Sequence, residues 1–229
     1  MLDNVKSDLE KLGNREKAQI LSRFFKTGKG EYGEGDIFLG VTVPDQRSVA
    51  KKYTGLELKE IQQLLSSKVH EHRLTSLLVL VEKYKKDDNK EEIFNFYLKN
   101  AKNVNNWDLV DLTAHNILGD YILEKNKSVL YRLAKSDSLW DRRIAIISTH
   151  AFIRKGLFED TFRISELLLK DKHDLIHKAV GWMLREVGKK DQKAEEQFLK
   201  KHYRNMPRTM LRYAVERLSD SKKRFYMGR

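Results

Sequence analysis

The stretch NNWDLVDLTAHNILG, Asn105 to Gly119, sets an indole and a carboxylate four residues apart. Its apolar spacing is that of a helix, and four residues is close to one turn, so Trp107 and Asp111 project from the same face. A carboxylate so placed can stabilise positive charge developing on a bound molecule and can orient an attacking water. An indole offers an electron-rich face to a cation, an attraction of about 0.5–2 kcal/mol. Each residue also has a plainer use. Tryptophan is highly buried in most folds, and an aspartate among basic neighbours can serve as half of a structural ion pair.

Other chemistry finds less support. His173 and His177 in HDLIH share a helix face at a spacing seen in zinc sites, but no third ligand has a comparable signature and the HExxH pattern is missing. No metal or other cofactor is therefore expected. His70 and His72 flank Glu71 and are candidates for contact with phosphate or water. The chain has no cysteine, which excludes disulfides, a thiolate nucleophile and cysteine-based metal centres. No serine lies in a Gly-x-Ser-x-Gly elbow. The segment KTGKGEYGEGDIFLGVTVPDQR, Lys26 to Arg47, carries five of the twelve glycines but lacks the Walker spacing and a preceding strand, so it is a loop between helices.

The elements that position these residues are helical. Pro44 and Pro207 are the only prolines, and apolar residues recur at three- and four-residue spacing in LKEIQQLLSS and TFRISELLLK. Strand-like alternation is nearly absent. The predicted fold is all-α. From Leu56 the helices fall into similar pairs: HEHR ends at Arg73, DLVD at Asp111, WDRR at Arg143 and LIHK at Lys178. Arg73 to Asp111 is 38 residues, Asp111 to Arg143 is 32 and Arg143 to Lys178 is 35. A fifth pair around PRTMLRYAVERL puts Arg208 or Arg212 at a comparable distance. Irregular repeats of this length, each a helix hairpin, predict an α-solenoid of HEAT-like units. The expected organisation is one curved domain over 1–229, with N-terminal helices and the glycine-rich loop in 1–55, repeats in 56–219 and a flexible basic tail in 220–229.

Equivalent repeat positions line one face, so Arg73, Arg143 and Lys178 predict a cationic stripe suited to phosphates. Asp111 is the one acid in that row, and neutralisation of Arg143 is its plainer role. Trp140, just before Asp141, Arg142 and Arg143, falls near a helix start and reads as a packing residue.

The 229 residues carry 45 Lys and Arg against 33 Asp and Glu, a formal charge of +12. Such an excess points to a polyanionic partner, nucleic acid or an acidic membrane surface. The N-terminal segment has no apolar core of the signal-peptide kind, and no uncharged apolar run approaches the ~20 residues that span a bilayer. The expected setting is the cytoplasm, with association to the nucleoid if the partner is DNA, and no membrane.

In their order and spacing, FLGVTVPDQR, WDLVD, LWDRR and KAVGWMLRE resemble the DNA alkylation repair family of the AlkD type over nearly the whole chain. The resemblance implies a HEAT-like repeat protein and a monofunctional DNA glycosylase that removes N3- and N7-alkylated purines from duplex DNA. It assigns Trp107 and Asp111 to the family's Trp-x-x-x-Asp pair, Arg143 to its active-site arginine and Trp182 to a second indole beside the lesion. It further implies DNA contacts at Arg47 and Arg185, to which the repeat register and the WDRR string add Arg73, Lys178 and Arg142. A lesion not drawn into a deep pocket, and a monomer sufficient for the task, complete the expectation. Two other readings stand beside it: a DNA-binding relative without excision activity, and a protein-interaction scaffold, the commonest use of such repeats.

Overall fold

The structure, a computed structural model, describes residues 1–86 and 88–228. Among them there is no strand, only an isolated parallel bridge between Ile37 and Val69. The fold is all-α and follows the helix-pair plan of an α-solenoid. The residues form two compact units, Met1–Thr113 and Ala114–Arg229.

In the first unit α1 spans Leu2–Lys11, α2 Arg15–Phe24, α3 Val43–Lys52, α4 Leu58–Leu65, α5 His70–Lys86 and α6 Lys90–Lys99. A 3₁₀ turn at Ala101–Asn103 leads into α7, Trp107–Ala114. Local signals fix the starts. The Asn14 side chain accepts the Lys17 N–H at the head of α2, and Thr42 caps α3 ahead of Pro44 in its first turn. Helix α5 is the centre of this unit. It is buried on all sides from His70 to Val81, as expected for a helix with α3 and α4 against it. Tyr97 of α6 joins α7 through a 3.0 Å hydrogen bond between its hydroxyl and that of Thr113.

The glycine-rich segment is the expected loop, and it is tightly held. Glu71, 1% exposed, accepts the backbone N–H groups of Leu39, Gly40 and Val41 at 3.0, 2.8 and 3.3 Å. Gly40 has φ +84°, and a Cβ there would lie 2.1 Å from the Asn14 carbonyl oxygen. Only glycine fits both demands.

The second unit opens with a π-helical turn, His115–Gly119, of the kind that recurs at functional positions. Then follow α8 (Ser128–Ala134), α9 (Leu139–Ser148), α10 (His150–Arg154), α11 (Glu159–Leu168), α12 (Asp174–Lys190), α13 (Gln192–His202), α14 (Arg208–Ala214) and α15 (Asp220–Met227). Helix α12 contacts α9, α11, α13 and α14. Its approach to α14 is close enough that a Cβ on Gly181 would lie 2.3 Å from the Met210 carbonyl oxygen. The basic segment at the C-terminal end is not a loose tail over its length: Asp220–Met227 is helical, with Tyr226 buried. Arg229, part of the tail expected from sequence, lies outside the described residues. No helix among the described residues is long and apolar enough to cross a membrane.

In chain order the helices follow as α4 and α5, α6 and α7, α8 and α9, α11 and α12, and α13 and α14, and of these α4 packs on α5, α8 on α9 and α11 on α12. The register read from sequence lands on their second members. Asp111, Arg143, Lys178 and Arg212 are each the fifth residue of α7, α9, α12 and α14, and Arg73 is the fourth of α5.

Candidate active site

Trp107 is the first residue of α7 and Asp111 lies one turn further on; both are partly exposed. The Trp107 N–H is received by the Asn106 side-chain oxygen at 2.8 Å, which satisfies one of the helix's unpaired first-turn donors. The indole stacks on Phe25, centroids 5.0 Å apart and planes at 6°, and meets the edge of Phe24 at 5.8 Å and 82°. Phe24 is 63% exposed, so the indole and a solvent-facing phenyl ring form one aromatic surface. The carboxylate of Asp111 is close enough to Tyr97 to be felt there. Burial pushes the Tyr97 hydroxyl well above its usual range, and the Asp111 charge adds to the shift against the Thr113 hydrogen bond.

Beneath this surface lies a polar cluster that the sequence did not reveal. His70 Nε2 is 2.8 Å from Asp108 Oδ2, and His70 Nδ1 is 3.4 Å from Asp36 Oδ2. Arg73 donates to the same Asp36 oxygen at 2.6 Å and to the Ser67 carbonyl at 3.0 Å. The imidazole stacks on Phe38 at 4.6 Å and lies 4.9 Å from Phe25. Burial favours the neutral ring, but Asp108 and Asp36 more than offset burial and the repulsion of Arg73, and the pKa is raised to about 9. Burial likewise opposes the charge of Asp36, and hydrogen bonding to His70 and the Arg73 charge outweigh it, so that carboxyl sits below its usual range.

This cluster corrects two expectations. Arg73 does not line an exposed cationic stripe: it is 4% exposed and already paired. His70 and His72 do not face phosphate or bulk water. The first is 1% exposed, and the second is buried with its Nδ1 3.0 Å from the Ser67 hydroxyl. The physical reason is common to all three. They belong to the helix against which α3 and α4 pack, so they are shut off from solvent; most of their polar groups meet partners in the protein, and His72 Nε2 and Arg73 Nε are buried without one.

In the second unit Arg143 also departs from the expected exposed cationic stripe: it is 4% exposed, and its guanidinium donates to the Leu175 carbonyl in the first turn of α12. Arg142 donates through Nε to Asp171 at 2.6 Å and through one terminal nitrogen to the Ser136 and Asp137 carbonyls. It clamps two loops. Lys178 pairs with Asp174 at 2.7 Å on the surface of α12. Arg185 is paired with Glu216 and lies 3.6 Å from Glu186. Arg47 of α3 is exposed.

Trp182 of α12 is partly exposed, donates its indole N–H to Glu186 at 3.0 Å, and lies 6.2 Å from the His150 ring. Trp140 stands in the first turn of α9, partly exposed. His173 caps α12 by accepting the Leu175 N–H at 3.1 Å, and His177 donates to the Asp171 carbonyl at 2.5 Å. Both histidines are thus spent on the start of α12. Among the described residues no group of three or more His, Asp or Glu is arranged to hold a metal ion.

A chain of paired helices, with a carboxylate and an indole on one partly exposed helix turn, defines the class: a helical-repeat protein. The family model for the DNA alkylation repair enzyme matches residues 5–218. The chain belongs to that family. Among solved structures it is similar to a predicted DNA alkylation repair enzyme from Enterococcus faecalis, at 16% identity and a TM-score of 0.70, over 91% of this chain and 97% of that one. At that identity the likeness is one of fold. No curated protein matches the sequence.

Phe24, Phe25, Phe38 and Asp108 are the residues about this face that sequence reasoning missed, and His70 was read as a contact for phosphate or water rather than as a buried partner of Asp108. A signal was present for the burial of His70: the polar run HEHR opens a helix whose continuation, LTSLLVLV, carries no charge on any side. Polar side chains at the head of a fully enclosed helix must have partners.

Proposed function

We propose that the protein is a monofunctional DNA glycosylase that hydrolyses the N-glycosidic bond of cationic N3- and N7-alkylated purines in duplex DNA. The observation that carries this reading is the placement of Asp111 one turn from Trp107 on α7, with both side chains reaching solvent. Family membership supplies the substrate class, alkylated DNA.

The chemistry suits one carboxylate. Breaking the C1′–N bond leaves positive charge on the deoxyribose, and Asp111 stabilises that charge and orients the water that adds to C1′. Ordinary glycoside hydrolysis also needs an acid to protonate the leaving group. An N3- or N7-alkylated purine is already cationic. It takes the bonding pair and departs as a neutral base, while the water loses a proton and leaves an abasic sugar. Trp107 offers its electron-rich face to the cationic base or sugar, and its stack on Phe25 holds the ring in place. Trp182 is assigned the same task by resemblance. The +12 charge supports binding to the phosphate backbone.

The test is release of 7-methylguanine and 3-methyladenine from methylated duplex DNA by the purified wild type and by Asp111→Asn. Release by the wild type and its loss in the variant are the expected pair. Salt-dependent duplex binding with no release would leave a DNA-binding protein without excision activity, and absence of binding would leave a scaffold.

A further inference from the structure

We propose that His70 is a positioning residue for the α7 turn that carries Trp107 and Asp111, acting through Asp108 on one side and Phe25 on the other. The inference rests on reading that turn as the catalytic face, but its geometry is independent of any substrate.

Asp108 directly follows Trp107 in the chain, and its carboxylate is held 2.8 Å from His70 Nε2. Phe25, which stacks on Trp107, also lies against the His70 ring. One buried imidazole therefore supports the indole twice, through the next residue of the backbone and through the ring beneath it. Phe38 stacks on the imidazole at 4.6 Å and on Phe25 at 5.1 Å, so the three rings form one compact triangle.

Both ring nitrogens face carboxylate oxygens, Asp108 from α7 and Asp36 from the glycine-rich loop. A neutral imidazole carries a single N–H and would turn a lone pair toward one of them. Only the imidazolium satisfies both. The charges agree: Asp36 and Asp108 are matched by His70 and Arg73, and no other ionisable side chain makes a hydrogen bond or ion pair with His70 among the described residues. A cation against the Phe25 and Phe38 rings is favourable as well. Loss of the proton leaves one carboxylate facing a lone pair in a site nearly closed to solvent. The α7 turn is the part free to yield, since Arg73 still holds Asp36.

The experiment uses the full chain labelled with 5-fluorotryptophan, followed by fluorine NMR from about pH 7 to about pH 10.5, a window around the raised histidine value. The Trp107 resonance is assigned with Trp107→Phe. It is expected to move with a midpoint near the His70 value of about 9. Asp108→Asn, which removes one of the two opposing charges, lowers the midpoint, and His70→Gln abolishes the transition. Excision by the wild type falls about tenfold or more across the same midpoint, the cost of a displaced catalytic group. A Trp107 resonance that does not move, or one that moves identically in folded His70→Gln, overturns the inference. Circular dichroism checks that variant's fold, and Asp108→Asn carries the test if His70→Gln does not fold. A titrating Trp107 in a protein that releases no base at any pH upholds the positioning role and overturns only the glycosylase reading.

Discussion

Glu71 and Gly40 meet at 2.8 Å, a buried carboxylate oxygen against a backbone N–H thirty-one residues away. The same carboxylate takes the N–H groups of Leu39 and Val41, so one side chain at the head of α5 fixes the end of the glycine-rich loop. Glu71→Gln keeps the shape but exchanges one acceptor oxygen for a donor that faces other donors. The expected cost is about 3 kcal/mol of stability. Gly40→Ala, with its positive φ and blocked Cβ, is expected to cost as much or more. Urea denaturation of each variant measures both.

Asp111→Asn is the decisive variant for activity. The side chain is partly exposed, so its loss of charge leaves the fold intact. Single-turnover excision is expected to fall about 100- to 1,000-fold, the scale of losing one group that stabilises transition-state charge. Duplex affinity stays within about twofold, because a phosphate-binding surface loses no cation. A drop in affinity matching the drop in rate would assign Asp111 to binding instead.

Stability is expected to fall as pH rises, in two windows. His70 has its pKa raised to about 9, above the unfolded value of about 6.5. Its contribution is complete below the unfolded value and is lost as pH climbs through the folded one. Glu195 is 2% exposed, and burial, reinforced by Glu196 against Lys222, raises its pKa to about 8. The folded state holds that proton after the unfolded chain has lost it, so stability declines from the ordinary carboxylate range up to the folded value. Glu195→Gln removes this second decline and leaves the protein more stable than the wild type above about pH 8, by a few kcal/mol at most. Chemical denaturation across pH, wild type against Glu195→Gln and His70→Gln, separates the two windows.

Arg143→Lys tests the arginine of WDRR. The guanidinium is buried and reaches the Leu175 carbonyl at the start of α12. A lysine keeps the charge but has a single point of donation in place of a planar fork. Excision is expected to fall at least about tenfold, with a loss of about 1–3 kcal/mol in stability from the poorer buried hydrogen bonding. Wild-type excision rates in the variant would remove Arg143 from the catalytic account.

Much of this architecture is legible in one dimension because it is local. The 3.6-residue period makes the helices, and the recurrence of HEHR, DLVD, WDRR and LIHK marks their pairing. Asp111, Arg143 and Lys178 then fall at the same turn of successive second helices. The one-turn spacing of Trp107 and Asp111 is equally local, and it holds. Where the repeat register was asked to say which cations face solvent, it failed at Arg73 and at Arg143, both 4% exposed. A register gives direction around a helix axis, but α5 is enclosed on every side.

Sequence alone therefore determined the helical class, the order of the pairs and the shared face of the carboxylate and indole, since each depends on residues within one or two turns of each other. Tertiary structure decided what surrounds that face. Asp36 reaches Arg73 and His70 across more than thirty residues, and Phe24 and Phe25 meet Trp107 across more than eighty. Such partners are selected by burial, which leaves a charge or a ring no alternative to the group packed against it, and no spacing along the chain encodes that choice.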